Sequence, residues 1–273
     1  MKFGPNHVKL ASGPAPVASA LQTEYPEIES TVRLRLMGSY IVRLGSETEN
    51  TREPNVAWAD STFFKVFSVP VIEGNPEKAL TEANSVAISR RLAEKHFPDG
   101  SALGQTIILD NVKTGKITAV FENIAATSHF HYDILIGLVG DWPIAKSALS
   151  QDFLTGDFTT YLLLREDAKG AGLEAKLPAF IEKYMGKAMG AALGTEFNME
   201  NFVRDGNKYE ATLMPLRDIH LRSHLTGELE PNGSIVYVYM FGTIALLITN
   251  DRVREFHEPV HGESGYEGER KLA

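Results

Sequence analysis

The sequence predicts an α+β fold, and three observations carry that prediction. A proline-led helical stretch is followed at once by alternating strands, not by a βαβ array. The middle of the chain mixes short apolar strands with capped helices and shows no repeated period. Pro231 to Asn250 carries no charge between Glu230 and Asp251, and this run stands apart from everything before it.

The chain has 273 residues and 43% hydrophobic content, which is enough to bury a sizeable core in one or two domains. Its formal net charge is -8 and it has no basic run of five or more, which disfavours a general nucleic-acid-binding role and leaves room only for local basic patches. Cysteine is absent, which removes disulfides, cysteine nucleophiles and thiolate zinc sites together. The stretch Met1 to Val17 lacks the apolar core of a secretory signal, so any export signal is expected outside it.

Ser12 is a candidate N-cap, Pro14 and Pro16 fit a first turn, and Val17, Leu21 and Tyr25 recur at helical spacing. Val32, Leu34 and Leu36 then alternate with Thr31, Arg33 and Arg35, the pattern of a half-buried strand with one wet face. Gly38-Ser39 predicts a turn, with Tyr40, Val42 and Leu44 as the hairpin partner. Val56 and Trp58 begin the next strand. Asp60-Ser61 reads as a capping pair ahead of Phe63, Phe64 and Phe67, which are expected in the core.

Ser85 to Ile88 predicts a strand, Ser89 a helix cap, and Pro98-Asp99-Gly100 the end of that helix. Strands follow at Gln105 to Leu109 and around Ile117 to Phe121, then at Ile134 to Leu138 and Phe158 to Leu164. Asp141 to Asp157 reads as a loop with one helical turn. Leu173, Leu177, Phe180, Ile181 and Tyr184 share one face of a helix that Pro178 should kink or shorten. No element is assigned to Met185 to Asp205, and Tyr209 to Leu216 is expected as a strand.

His129, His131 and Asp133 are the sharpest chemical constellation. On a strand they would project to one face, offering side chains that a divalent metal accepts. His220 and His224 would add imidazoles if folding brought them close. This gives one functional alternative, a soluble metal-dependent hydrolase. The plainer reading is a solvated strand face with Phe130, Tyr132 and Ile134 buried behind it, and no metal, cofactor or catalytic residue is assigned. Walker A, Gly-x-Ser-x-Gly, His-Glu-x-x-His and Gly-x-Gly-x-x-Gly patterns are all missing from the sequence.

The stretch Ala59-Asp60-Ser61-Thr62-Phe63-Phe64-Lys65-Val66-Phe67-Ser68, then Glu73-Gly74-Asn75-Pro76 and Asn84-Ser85-Val86-Ala87-Ile88-Ser89, resembles the periplasmic core domain of MacB/FtsX-type ABC transporter permeases. Leu103-Gly104-Gln105-Thr106, Ser128-His129-Phe130, Thr160-Tyr161-Leu162, Ile219-His220-Leu221 and Glu230-Pro231-Asn232-Gly233 continue it in the same order. The resemblance implies a two-lobed extracytoplasmic domain over residues 1–230, porter-like, with 55–123 as an inserted smaller α+β lobe. It implies no enzyme activity here, ATP hydrolysis on a separate ABC ATPase subunit, a permease homodimer and a periplasmic partner protein. It places the chain at the inner membrane with its main domain in the periplasm. A binding module without transport is the remaining alternative.

Residues 231–250 are then expected as a partial transmembrane helix, with membrane lipid against 234–249 and Tyr237 and Tyr239 at the interface. The tail 251–273 has ten charged residues and departs from the family pattern, which leads to the expectation of a fragment or a foreign end.

Overall fold

The computed structural model describes residues 1–3, 6–45, 49–194 and 196–257, with side chains described up to residue 250. The expected tail therefore lies largely outside the described residues. Residues 1–232 and 233–273 are separate compact units.

In the first unit, β1 (Lys2–Phe3) and β2 (Asn6–His7) form a minimal antiparallel pair. The main sheet has eight strands: β3 (Ile28–Leu44), β4 (Thr51–Ala59), β5 (Val71–Gly74), β6 (Ser85–Ser89), β7 (Thr106–Leu109), β8 (Lys113–Phe121), β9 (Ile134–Gly137) and β10 (Thr159–Leu164). The order is β10-β3-β4-β9-β6-β8-β5, and β7 pairs with both β3 and β8. Strands β3, β4, β9, β6, β8 and β7 thereby close into a ring. The β4/β9 and β6/β8 pairs are parallel and the other ring pairs antiparallel.

Alternation sorts the side chains of this ring into two cores. Val56 and Trp58 of β4 join Val42, Leu44, Val86, Ile88, Ile107, Leu109, Ile117, Ile134 and Ile136 in a cluster that draws on all six ring strands. Ala57 and Ala59, one residue out of phase, join Val32, Leu34, Ala87, Phe121 and Leu135 on the other face. That face is covered by Phe63 and Phe64 of α2 (Phe63–Phe67) and by Phe130 and Tyr132, so the phenylalanine cluster is core as expected.

Val32 and Leu34 belong to one core and Val42 and Leu44 to the other, although their spacing is even. The reason is Gly38. It is no hairpin turn: β3 runs unbroken for 17 residues, and its pairing with β4 slips on either side of Gly38, whose φ is +77°. β3 carries one extra residue between Leu36 and Gly38 and β4 one between Val56 and Glu53; an extra residue swaps the faces of its strand, so β3 serves both cores.

Helix α1 (Val17–Glu24) forms as expected, but Pro16 stands at its N-cap with no side-chain cap, so Ser12 does not cap it. Ser89 does cap α3 (Arg90–His96), accepting from the Leu92 N–H. Helix α4 (Pro143–Ala148) is the turn expected after Asp141. Pro178 lies in the first turn of α6 (Leu177–Ile181), which follows α5 (Gly170–Glu174); the proline divides the predicted helix there, where its missing N–H costs nothing. A π turn at Glu182–Gly186 leads into α7 (Lys187–Leu193) and α8 (Met199–Arg204).

Leu21 and Ile28 pack with Leu173, Leu177 and Phe180 in a third core beside β10. The boundary expected at residue 55 falls inside β4. Residues 209–215 form no strand; α9 (Leu216–Arg222) starts directly after Pro215.

The second unit holds α10 (Ile235–His257). Every described side chain from Val236 to Asn250 is exposed, Leu246 at 73% and Val236 at 65%. Among the described residues no helix is long and apolar enough to cross a membrane. The uncharged run of α10 ends at Asp251, about 24 Å of helix from Ile235.

Candidate functional site

Residues 128–133 are irregular, not a strand, so His129, His131 and Asp133 do not share a face. The Ser128 N–H donates to the Ala125 carbonyl at 2.8 Å, and the turn this makes sends the three side chains to three different neighbours. His129 and Asp133 are buried, which corrects the expected solvated face; Phe130, Tyr132 and Ile134 are buried as expected.

Asp133 is a structural anchor. Its carboxylate accepts from the Ser89 hydroxyl at 2.7 Å and the Asn55 amide at 2.9 Å, and it pairs with Arg91. Its backbone N–H donates to Asn55 and its carbonyl accepts from Ser89. It thus pins the start of β9 to β4 and β6.

His129 packs edge-on against Phe130 with its Nε2 2.7 Å from the Tyr161 hydroxyl. Burial pushes the Tyr161 hydroxyl well above the ordinary phenol range, so it keeps its proton. We assign that proton as donated to Nε2 of a neutral imidazole. Burial also drives His129 down to about 4, against the upward pull of Glu228 and Glu230.

The sign of the pH effect follows. The folded value lies below the ordinary 6.5, so the contribution is complete above about 6.5 and drains away as pH falls toward 4. It amounts to about 3 kcal/mol at most. Urea unfolding at pH 7.5, 6 and 4.5 should show that loss, and His129→Gln should lack most of it. Parallel losses in both proteins would show that His129 is not the cause.

His131 faces Glu230. Its Nδ1 is 2.9 Å from Glu230 Oε2, its Nε2 is 3.1 Å from the Ala125 carbonyl, and its backbone N–H donates to Glu230 Oε1. Glu230 belongs to the loop 223–232, which shapes itself around Glu228: the Ser223 hydroxyl and the Leu225 N–H both donate to Glu228 Oε1, the latter at 3.0 Å. Leu229 inserts into the core that holds Phe130 and Tyr132. Beside the loop is a groove of about 440 Å³ walled by Leu36, Leu225, Glu228 and Pro231.

His224 lines this groove, and His220 lies close enough for its charge to act on His129. Among the described residues no three His, Asp or Glu side chains converge as metal ligands. What the arrangement can do is hold one chain segment against another.

A family model, the MacB-like periplasmic core domain, matches residues 4–179. The chain belongs to this family.

The fold is similar to "a domain of a putative Permease protein" from Porphyromonas gingivalis, with 25% identity and a TM-score of 0.55 over 67% of this chain and 81% of that one. The periplasmic region of MacB from Actinobacillus actinomycetemcomitans matches at 13% identity and a TM-score of 0.42, over 76% and 86% of the two chains. The extracellular domain of the noncanonic ABC-type transporter YknZ from Gram-positive bacteria matches at 16% and 0.43, over 68% and 87%. No curated protein matches.

In this MacB-like domain, His129, His131 and Tyr161 lie within the matched stretch, and Ser223, Glu228 and Glu230 lie beyond it. Sequence reading found the histidines but missed Glu230 and Tyr161 as their partners. Both stand in the stretches that carry the resemblance, and neither neighbourhood says which side chain it meets.

Proposed function

We propose that this MacB-like domain is the extracytoplasmic part of an ABC transporter permease and relays ATP-driven motion to an exported substrate or a periplasmic partner. ATP is hydrolysed on a separate ATPase subunit, and two permease chains work as a pair. The layer of α1, β10 and α6 acts as the porter-like part, an assignment supported by the separate third core, while residues 55–123 supply part of β4 and all of β5 to β8 to the sheet they share with β3 and β9.

The observation that carries this reading is the meeting of the two ends of the domain. Thr226 donates to Lys9 at 2.8 Å, and Ala11 donates back to Thr226 at 3.0 Å. Leu10 and Thr226 form a parallel bridge there. A domain carried between two membrane segments is served by ends that lie together, and the bonding of residues 9–11 to residue 226 supports that reading. After that point the chain runs from Asn232 into α10, whose apolar residues surround the helix instead of forming one stripe. The stretch 234–249 is the part assigned to lipid, as the partial span of a membrane helix.

All three cores lie within residues 1–232. A chain cut after Asn232 should therefore unfold within about 0.5 kcal/mol of the full chain. The full chain should float with phosphatidylethanolamine/phosphatidylglycerol vesicles, and the cut chain should stay in solution. Loss of folding in the cut chain, or equal flotation of both, would contradict the assignment of 234–249 to lipid.

A further inference from the structure

The contact between His131 and Glu230 has a feature that a simple structural ion pair does not need. Both ring nitrogens face acceptors: Nδ1 meets the Glu230 carboxylate at 2.9 Å and Nε2 meets the Ala125 carbonyl at 3.1 Å. A neutral imidazole has one N–H and one lone pair, so it satisfies only one of these contacts. The imidazolium satisfies both. The ring and the carboxylate are 39% and 32% exposed, so protons reach the pair from solvent.

Glu230 also stands at a mechanically sensitive place. It follows Leu229, which is buried in the core with Phe130 and Tyr132, and it comes two residues before the end of the first compact unit at Asn232. The loop has few other ties beyond itself: Thr226 to Lys9 and Ala11 are backbone bonds, and Glu228 spends its contacts on Ser223 and Leu225 within the loop. Among the described residues, the side-chain hold of 223–232 on the 128–133 segment is Leu229 and Glu230.

We infer that His131 and Glu230 form a proton-operated clasp: the imidazolium holds the loop 223–232 against the 128–133 segment, and loss of the proton loosens it. The neutral ring turns a lone pair either toward the carboxylate or toward the Ala125 carbonyl, so one of the two ring hydrogen bonds is lost and the other no longer joins two opposite charges. The inference rests on the proposed relay, because a loop that leads to the membrane helix is where loosening would change coupling.

The other titratable and charged groups around the segment and the loop are His129, Asp133 with its partner Arg91, His220, His224, Glu228 and the phenols of Tyr132 and Tyr161. His129 is held down to about 4 by burial and both phenols are held in their protonated form, so none of these three changes charge between pH 5.5 and 8. His220 and His224 each need a control of their own.

Amide exchange followed by NMR on the full chain tests the clasp through the His131 N–H, which Glu230 accepts, and the Leu225 N–H in the loop. Protection factors, taken relative to intrinsic exchange at each pH, should fall roughly tenfold between pH 5.5 and 8 in the wild type. Glu230→Gln and His131→Gln should show low protection with little pH dependence, and thermal unfolding of the same samples should confirm that they are folded. His220→Gln and His224→Gln should each keep the fall. Flat wild-type protection, the same fall in Glu230→Gln, or its loss in His220→Gln or His224→Gln would each overturn the clasp. None of these outcomes bears on vesicle flotation or membrane topology, so the clasp and the permease reading fail separately.

Discussion

Arg33→Ala is expected to destabilise the domain by about 3–5 kcal/mol, the cost of leaving a largely buried charge without its partner. Arg33 and Asp60 are only 16% and 20% exposed and form a fork: Nε to Oδ2 at 2.9 Å and Nη2 to Oδ1 at 2.8 Å. The remaining guanidinium nitrogen donates to the Ala15 carbonyl at 3.1 Å and the Ala148 carbonyl at 2.6 Å, and the Arg33 backbone N–H also donates to Asp60. One side chain thus joins the entry to α1, the end of α4 and the exit of β4, with Phe158 under its cation at 5.5 Å.

Alanine removes every side-chain donor and leaves the Asp60 carboxylate with the backbone N–H of residue 33 but no countercharge. In a domain of this size the melting temperature should fall by roughly 10 °C. Arg33→Lys should fall nearly as far, because an ammonium cannot make the fork. The double variant Arg33→Met, Asp60→Leu should recover much of the loss, since an apolar pair leaves no charge to solvate. A single-variant loss below about 1 kcal/mol would show that the network is a surface decoration.

The same residues show where sequence reading stops. Alternation placed Val32 and Leu34 inward correctly, and it placed Arg33 on a wet face. Arg33 does lie on the opposite side of β3, but α1 and α4 come down over it, and their arrival is decided by residues far along the chain. Asp60 was read as a helix cap because Asp before an apolar run is a local signal. Its actual partner sits one strand away, at a position no local pattern indicates.

Ser89 and Pro178 were legible because capping and a missing N–H act within one turn of helix. Gly38 was legible as special but not as what it is. A positive φ suits a turn and a bulge equally, and the difference is made by the register of β4 on both sides of it. The closure of the ring through β7 is likewise a pairing of residues 42–44 with 107–109, which a chain-order reading treats as separate.

At the candidate site the histidines were visible and their geometry was not. Period-two spacing suggested a strand, but Asp133 is tied to Ser89, Asn55 and Arg91, and His131 to Glu230, so the segment follows its side-chain anchors instead of a ladder. The exposed apolar surface of α10 was legible outright, because an uncharged run with apolar residues on every side of a helix has only lipid or a deep core as a partner.

The central claim is that this domain faces outward from a membrane-bound permease, and a single thiol tests it. The chain has no cysteine, and Val112, in the β7–β8 connection, is 77% exposed, so Val112→Cys supplies one accessible thiol without disturbing a core. In intact cells of the native host, a maleimide that cannot cross the inner membrane should label this thiol to nearly the level reached after lysis. Labelling that appears only after lysis would place the domain in the cytoplasm and contradict the permease reading.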